Sequence, residues 1–548
     1  MLSVAEFLIE RLENAGIKHV FGVPGDYILN YFGQLASKSK KIEVVNCVDE
    51  AGAGFAADAY ARIKGLGCVI ATYNVGALKL TNSIAGASAE RSSVIVISGS
   101  PGMTERGDAP LHHSVGTYDY QKTCFKDITC AQTVLDNPAT AGYEIDRVLE
   151  CLKYKKQPVY IELPRDIVSK FVDYDVYTQG TPKTKPTDQH NLEDAIEEVL
   201  TWINNAKSPV ILAGVEIARF QLGKELIKFA ERHNIPVACT LLSKSVVNET
   251  HPLYIGVYAG SNSSKEHVRD MVESSDCLLV CGEVITEATV GYRPSKAFNK
   301  RDMVTCTVDQ LKVKNHAYSN VHFIDFCKNL FGQDIKKRET PTLPSKEKLP
   351  KFIANDVKLT TVRLFEKIDS IISEDTLIIA DVGDSLLGAS DLTHTQSVDT
   401  FLGQAFYLSM GFAIPAALGA GLANKKLRPI VIVGDGAFQM SFTELSTIAR
   451  WKLNPIIFVL NNKGYTTERF ILDGKFNDVL NWNYHKVNEL LGIGDGMIVK
   501  NEKELDVAVE KAFKSGNFYV INCEVDSLDI SPALKRMAEA ISKKVKTN

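Results

Sequence analysis

The chain has 548 residues, 45% of them hydrophobic and 23% charged, with a formal net charge of −4 at pH 7. That length predicts three or four domains, each able to bury a core of its own. The near-neutral charge gives no electrostatic reason to expect nucleic acid or an anionic membrane as partner, and no apolar run reaches the ~18 residues of a membrane span.

The N-terminal MLSVAEFLIERLENAG reads as a charged amphipathic helix rather than a signal peptide, so a cytoplasmic location is expected. After it, HVFGVPGD, IEVVNCVDE, GCVIATY and SVIVISGSP each pattern as an apolar strand followed by a loop. In a parallel sheet the loops that follow strands lie along one edge, so Asp26, Glu50 and the pair His112 and His113 are expected to share it. Singly, Asp26 reads as a turn or cap residue, Glu50 as a first-turn helix carboxylate and the histidines as surface loop residues. Their common edge makes them candidates for acid–base chemistry.

Two stretches break the alternation of strands and helices: YTQGTPKTKPTDQHN at 177–191 and DIKKRETPTLPSKEKLPK at 334–351. Both read as proline-and-charge linkers, with Lys336, Lys337 and Arg338 solvated. They divide the chain into 1–176, 192–333 and 352–548, an α/β protein of three doubly wound parallel-sheet domains. The middle domain has strand candidates PVILAG, IPVACTLL, CLLVCGEV and MVTCTVD but no Gly-x-Gly-x-x-Gly after any of them. It resembles a nucleotide-binding fold that has lost its ligand. Of the eleven cysteines, Cys68, Cys281, Cys306 and Cys523 sit in apolar strand-like runs, and Cys277 and Cys281 lack Cys-x-x-Cys spacing; reduced core thiols are expected.

In the last domain, PIVIVGDG and PIIFVLNN are apolar runs ending in Gly-Asp-Gly and Asn-Asn, with an amphipathic helix pattern between them. That is a βαβ unit, and its parallel strands bring Asp435 and Asn462 out on the same sheet edge. A carboxylate, an amide oxygen and a loop carbonyl near Gly464 are too few for an all-protein calcium cage. They suit Mg²⁺ that keeps phosphate oxygens in its shell.

The run from Gly434-Asp435-Gly436 to Asn461-Asn462 resembles the diphosphate and magnesium motif of thiamine diphosphate enzymes. Further matches are similar to the pyruvate and indolepyruvate decarboxylase branch over essentially the full length: GVPGDY, the glutamate before AGAGFAADAYAR, TYNVGAL, HHSVG, Gly383-Asp384-Ser385 and NNKGYTTER. The resemblance implies pyrimidine-binding, central and diphosphate-binding domains in that order. It implies non-oxidative decarboxylation of a 2-oxo acid to an aldehyde and CO₂, with thiamine diphosphate and Mg²⁺ as cofactors. On it, Asp435, Asn462 and the Gly464 carbonyl hold the metal, Asp384 and the amides near Gly436 and Ala437 receive the diphosphate oxygens, and Tyr465 is a further cofactor-binding residue. Met410 is the apolar wedge under the cofactor and Leu408 a further cofactor contact, although the family more often shows WGxIGW where this chain has YLSMGF. Glu50 is implied to hydrogen-bond the aminopyrimidine and exchange a proton with it; Asp26, His112, His113 and Glu468 form the proton-handling set.

Pyruvate-selective members of the branch resemble GDSWF and GYTIE, whereas this chain has GDSLL and GYTTE. If Leu386, Leu387, Thr467 and Ile471 line the substrate's side chain, the lost volume implies branched-chain or aromatic substrates such as 2-oxoisovalerate, phenylpyruvate or indolepyruvate over pyruvate. The alternatives are pyruvate decarboxylase proper, a thiamine-dependent carboligase such as acetolactate synthase, and a silent homologue that binds the cofactor structurally. The His-His pair and Glu468 argue against the carboligase. In the family the first domain of one subunit faces the third domain of another, which implies a homodimer at minimum and a homotetramer by expectation.

Overall fold

Three sheets built mainly from parallel strands organise the chain, in a computed structural model that describes all residues except 108, 174–176, 178–183, 288, 292–302, 340, 345–350, 393 and 548. The first contains β1 (His19–Gly22), β2 (Glu43–Asn46), β3 (Gly67–Ala71), β4 (Val94–Ser100), β5 (Ala131–Val134) and β6 (Val159–Pro164). They pair in the order β2-β1-β3-β4-β6-β5, every pair parallel. The second contains β7 (Pro209–Ala213), β8 (Val237–Cys239), β9 (Tyr254–Val257), β10 (Cys277–Cys281), β11 (Met303–Cys306), β12 (Leu311–Val313) and β13 (His316–Tyr318). Its order is β13-β12-β11-β10-β7-β8-β9, and β12 and β13 form an antiparallel ribbon on β11. The third contains β14 (Thr376–Ala380), β15 (Phe401–Gly403), β16 (Arg428–Gly434), β17 (Ile456–Asn461), β18 (Asp495–Val499) and β19 (Tyr519–Glu524). Its order, β15-β14-β16-β17-β19-β18, is again wholly parallel.

The chain forms two compact units, 1–185 with 414–425 and 441–451, and 186–413 with 426–440 and 452–548. The first unit holds the first sheet and the second unit the other two. Strands β3, β4, β7, β10 and β17 are buried at every position. This explains why they read as continuous apolar runs rather than alternating ones: helices cover both faces of a parallel sheet. The first helix, Val4–Asn14, starts at a reciprocal capping box in which Ser3 Oγ accepts from the Glu6 amide while the Glu6 carboxylate accepts from the Ser3 amide. Cys68, Cys281, Cys306 and Cys523 are free and buried in β3, β10, β11 and β19. Among the described residues no helix is long and apolar enough to cross a membrane.

Parts of both expected linkers, 178–183, 340 and 345–350, lie outside the described residues. In the described part of the second, Lys336 and Lys337 are exposed as expected, but Ile335 and Arg338 are not. Arg338 is half-buried, its guanidinium donates to the Ile203 carbonyl and its own carbonyl accepts from Asn234, while Ile335 joins the central core. A positive charge read from sequence as solvated is here used to cap main-chain carbonyls.

Each sheet has a switch point, between β1 and β3, β7 and β10, and β14 and β16, where successive connections leave in opposite directions and a crevice is expected. In the central sheet that crevice is filled by the chain's own backbone. The Gly214 amide donates to the Cys281 carbonyl at 2.8 Å, the Glu216 amide to Gly282 at 2.9 Å, and a Cβ on Gly214 would lie 2.2 Å from Gly282. Beside it, the buried Glu283 accepts from Thr240 Oγ1 at 3.0 Å and Ser243 Oγ at 3.4 Å through one oxygen, while the other has no hydrogen-bond partner. Burial pushes Glu283 up to about 8, against the two hydroxyls that favour its charged form. The sign follows from linkage. A carboxyl whose pKa is raised on folding stabilises the fold fully below the unfolded-state value, and that stability is lost as pH rises toward 8. Glu283→Gln should therefore raise the melting temperature at mildly alkaline pH and leave it nearly unchanged near pH ~4, which thermal scans across pH will show.

Candidate active site

In the second unit, the switch point between β14 and β16 carries a cleft of about 110 Å³ lined by Gly383, Asp384, Met410, Asp435, Asn462 and the segment Gly464 to Glu468. The Asp435 carboxylate is buried at the start of helix Asp435–Ser441. One of its oxygens accepts from the Gly436 amide at 2.7 Å, the other from the Gly464 amide at 3.0 Å. Burial outweighs these amides and raises Asp435 to about 6. Asn462 is buried as well, and its Oδ1 has no hydrogen-bond partner. An unsatisfied amide oxygen beside a desolvated carboxylate is the donor set that a hard cation would complete.

The loop after β17 is held rigidly. Arg469 donates to the carbonyls of Asn462 at 3.2 Å and Lys463 at 2.8 Å and pairs with Asp478 at 2.9 Å. Gly464, at φ +151°, tolerates no side chain, because a Cβ would meet the Asn477 carbonyl at 2.2 Å. Its carbonyl accepts from the Thr466 amide at 3.0 Å and retains its second lone pair. Gly436 is required by a ring: a Cβ there would lie 2.5 Å from Tyr465 Cε1.

Three sequence expectations are altered by the geometry. Asp384 lines the cleft, but its carboxylate accepts the Ser531 amide at 2.9 Å and the Ser531 hydroxyl, so only its main chain is left for an anion. Leu386 does not line the cleft. Helix Asp384–Leu392 starts at Asp384, and its phase turns Leu386 into the core, 1% exposed, against the position of a Cβ on Gly403. Leu387 is half-buried and Ile471 exposed, and neither is among the residues lining the cleft, whereas Thr467 and Glu468 are.

Sequence reasoning missed the residue that sets Met410. Asp381, fully buried after β14, accepts from the amides of Val382 at 2.9 Å, Gly411 at 3.0 Å and Ala413 at 2.8 Å. It thereby pins the YLSMGF loop, in which Leu408 sits at φ +58° and Gly411 at φ +85°. A leucine in the left-handed region is strained by roughly 1–2 kcal/mol, which a clamped loop can sustain. Ser385 was also missed; its hydroxyl is buried without a partner in the cleft lining, where Gly-Asp-Ser was the available signal.

In the first unit, the predicted residues follow their strands. His112 Nε2 lies 2.5 Å from Asp26 Oδ2, and His113 Nε2 lies 3.8 Å from Oδ1. Tyr27 stacks on His112 at 4.7 Å, its hydroxyl is 3.2 Å from Nδ1, and it donates to the His112 carbonyl at 3.3 Å. Burial opposes ionisation of Asp26, but the His112 contact prevails and holds its carboxyl below the ordinary range. His113 is at φ +68°, a conformation secured by Asn74, whose Nδ2 donates to the His113 carbonyl at 2.8 Å. The Asn74 amide in turn donates at 2.6 Å to buried Gln121, whose side-chain amide donates to Ser98 at 2.8 Å and Tyr160 at 2.7 Å.

Glu50, the first residue of helix Glu50–Lys64, pairs with Lys79 at 2.9 Å. The two residues before it are fixed by Glu444, which is buried and accepts from the Val48 amide at 2.9 Å and the Asp49 amide at 3.2 Å. Neither Lys79 nor Glu444 was singled out from the sequence, and no local pattern announces them.

A parallel-sheet switch point with a buried carboxylate and a partnerless amide oxygen, in a chain whose other parallel sheet gathers Asp26, His112 and His113, defines a cofactor-dependent α/β enzyme. Family models for thiamine pyrophosphate enzymes match along the chain: the N-terminal TPP binding domain at residues 2–123, the central domain at 196–332 and the C-terminal TPP binding domain at 381–523. The chain is 32% identical over 547 residues to the indole-3-pyruvate decarboxylase of Azospirillum brasilense, with 98% of each chain covered. It is 31% identical to a probable pyruvate decarboxylase of Schizosaccharomyces pombe, over 97% of this chain and 94% of the relative. It is 33% identical to the alpha-keto-acid decarboxylase of Mycobacterium tuberculosis, over 90% and 88%. The chain belongs to the thiamine diphosphate-dependent 2-oxo acid decarboxylases.

Asp381→Ala should lower the melting temperature and weaken thiamine diphosphate binding together, since each amide left unsatisfied costs roughly 1–3 kcal/mol. Asp381→Asn, which keeps one acceptor, should fall between it and the wild type. Calorimetric unfolding and cofactor titration on the same samples will test the pairing of the two effects.

Proposed function

We propose that this decarboxylase acts on branched-chain or aromatic 2-oxo acids in preference to pyruvate, and that Mg²⁺ accompanies its thiamine diphosphate. The partnerless Oδ1 of Asn462 beside the buried carboxylate of Asp435 carries the metal reading. Asp435, Asn462 and the Gly464 carbonyl would hold the ion, and the Ser385 hydroxyl with the main chain at Gly436 and Ala437 would receive the diphosphate. Met410, held by Asp381, and Leu408 would support the cofactor from the clamped loop. When bound, thiamine diphosphate supplies an electron sink for the pair left behind as CO₂ departs.

The chain's own residues manage the protons. Glu50 would exchange one with the pyrimidine ring, in place of its contact with Lys79. Asp26, His112, His113 and Glu468 would deliver the proton that completes the aldehyde, with Tyr27 orienting His112 for that task. Positioned groups of this kind contribute ~10²–10⁴-fold. Glu50→Gln should accordingly lower kcat by at least ~10²-fold while far-UV circular dichroism and bound thiamine diphosphate stay at wild-type levels. Wild-type turnover in a folded, loaded variant would remove Glu50 from the mechanism.

The relatives carry names that span small and large substrates, so the substrate reading rests on the cleft. With Leu386 in the core, it rests on Thr467, a small residue lining the cleft beside the φ +97° turn at Gly383. Each further buried methylene of a substrate is worth about 0.8 kcal/mol, roughly fourfold in kcat/KM. Wild type should favour phenylpyruvate and 2-oxoisovalerate over pyruvate, and Thr467→Ile should shift the ratio toward pyruvate. A wild type that prefers pyruvate identifies a pyruvate decarboxylase proper, and carbon–carbon ligation in the product mixture identifies a carboligase. The assembly proposed is a homodimer at least. Its support is the set of exposed apolar side chains in the second unit, Met440, Leu472, Phe476 and Leu480, which a second copy would cover.

A further inference from the structure

We propose that Asp26, His112 and His113 form a second metal site, a face of two histidines and one carboxylate that captures a borderline divalent cation such as Zn²⁺ and thereby inactivates the enzyme. Each residue offers one ligand atom, and these atoms lie within 4.8 Å of one another. Zinc binds imidazole nitrogen and carboxylate oxygen at about 2.0–2.2 Å, which in a tetrahedral site sets ligand atoms roughly 3.4 Å apart. The two contacts to Asp26, at 2.5 Å and 3.8 Å, bracket that spacing, so small side-chain rotations suffice.

The surroundings are those of a metal centre. A ligating histidine normally offers its second ring nitrogen to an orienting partner, and His112 has one: Tyr27 OH lies 3.2 Å from Nδ1, which leaves Nε2 facing Asp26. Adjacent residues seldom aim two rings at one point. Here the φ +68° backbone of His113, secured by Asn74, brings the two rings to 4.8 Å. The Arg165 guanidinium over the Tyr27 ring is paired with Glu105. In the single chain the side chains of Asp26, His112 and His113 are 45%, 58% and 32% exposed, so their ligand atoms can be reached from solvent. Mg²⁺ prefers oxygen in octahedral array, so it does not compete here, while Zn²⁺ and Co²⁺ favour imidazole.

Metal binding stands on the geometry alone; the inactivation rests on the reading of these groups as proton carriers, because a cation on Nε2 and the carboxylate occupies the lone pairs that would move the proton. The test uses the holoenzyme in excess thiamine diphosphate and Mg²⁺. Co²⁺ serves as the optical probe and Zn²⁺ as the inhibitor. The expected result is intense visible absorption from low-coordinate Co²⁺, reversible inhibition by Zn²⁺ unaffected by added Mg²⁺, and loss of the Co²⁺ bands in the His112→Gln/His113→Gln variant. Tyr27→Phe should weaken Zn²⁺ binding about 10–100-fold. Weak six-coordinate Co²⁺ spectra, or bands that survive the double substitution, overturn the site and leave the proton-carrier reading untouched. Bands that vanish in the variant while Zn²⁺ leaves wild-type turnover unchanged overturn the inactivation, and with it the proton-carrier role.

Discussion

Burying the Asp435 carboxylate strips it of water, and the hydrogen bonds replacing that water come from amides on two different segments, Gly436 in the helix after β16 and Gly464 in the loop after β17. The residual cost shows in its raised pKa. Because one anion fastens both the helix start and the loop, their separation is set by the carboxylate rather than by loop preference. Arg469 then fixes that loop by its carbonyls, and Asp381 fixes the Met410 loop by its amides. The cleft is thus framed by two buried carboxylates, Asp435 and Asp381, compensated by backbone amides, and by Arg469, which caps carbonyls and pairs with Asp478.

The first unit solves a related problem through a buried side-chain amide. Gln121 is buried among Ser98, Tyr160 and Glu162, and transmits their fixed positions through Asn74 to the backbone of His113. A left-handed histidine is costly in isolation. It persists because each donor in the chain behind it has a defined acceptor, so relaxing His113 would break hydrogen bonds several residues away.

Much of this was legible in the sequence where function follows from strand-end placement. Asp435, Asn462, Asp26, Glu50, His112 and His113 all follow strands of parallel sheets, a placement that period and topology predict. What was not legible depends on contacts distant in sequence. Asp381 meets Gly411 and Ala413, and Glu444 meets Val48 and Asp49, and no local pattern marks either. Leu386 was misplaced because the phase of a helix is fixed by its first residue. Once Asp384 starts the turn, Leu386 faces Gly403 rather than the cleft. Arg338 was misplaced because charge and proline content describe a linker's composition but not the carbonyls waiting beside it.

The antiparallel ribbon of β12 and β13 ends one side of the central sheet, and it has a bearing on how the protein behaves at high concentration. A bare edge strand is a template on which another chain's strand can add. Here the outermost strand is three residues long, and the ribbon presents Lys312, Lys314 and His316 to solvent. A newcomer would have to bury ammonium groups to extend the sheet, and Glu198 already occupies the edge through His316 and the Tyr318 hydroxyl. The margin is therefore protected against sheet-to-sheet polymerisation, a safeguard against aggregation in crowded solution that is independent of catalysis.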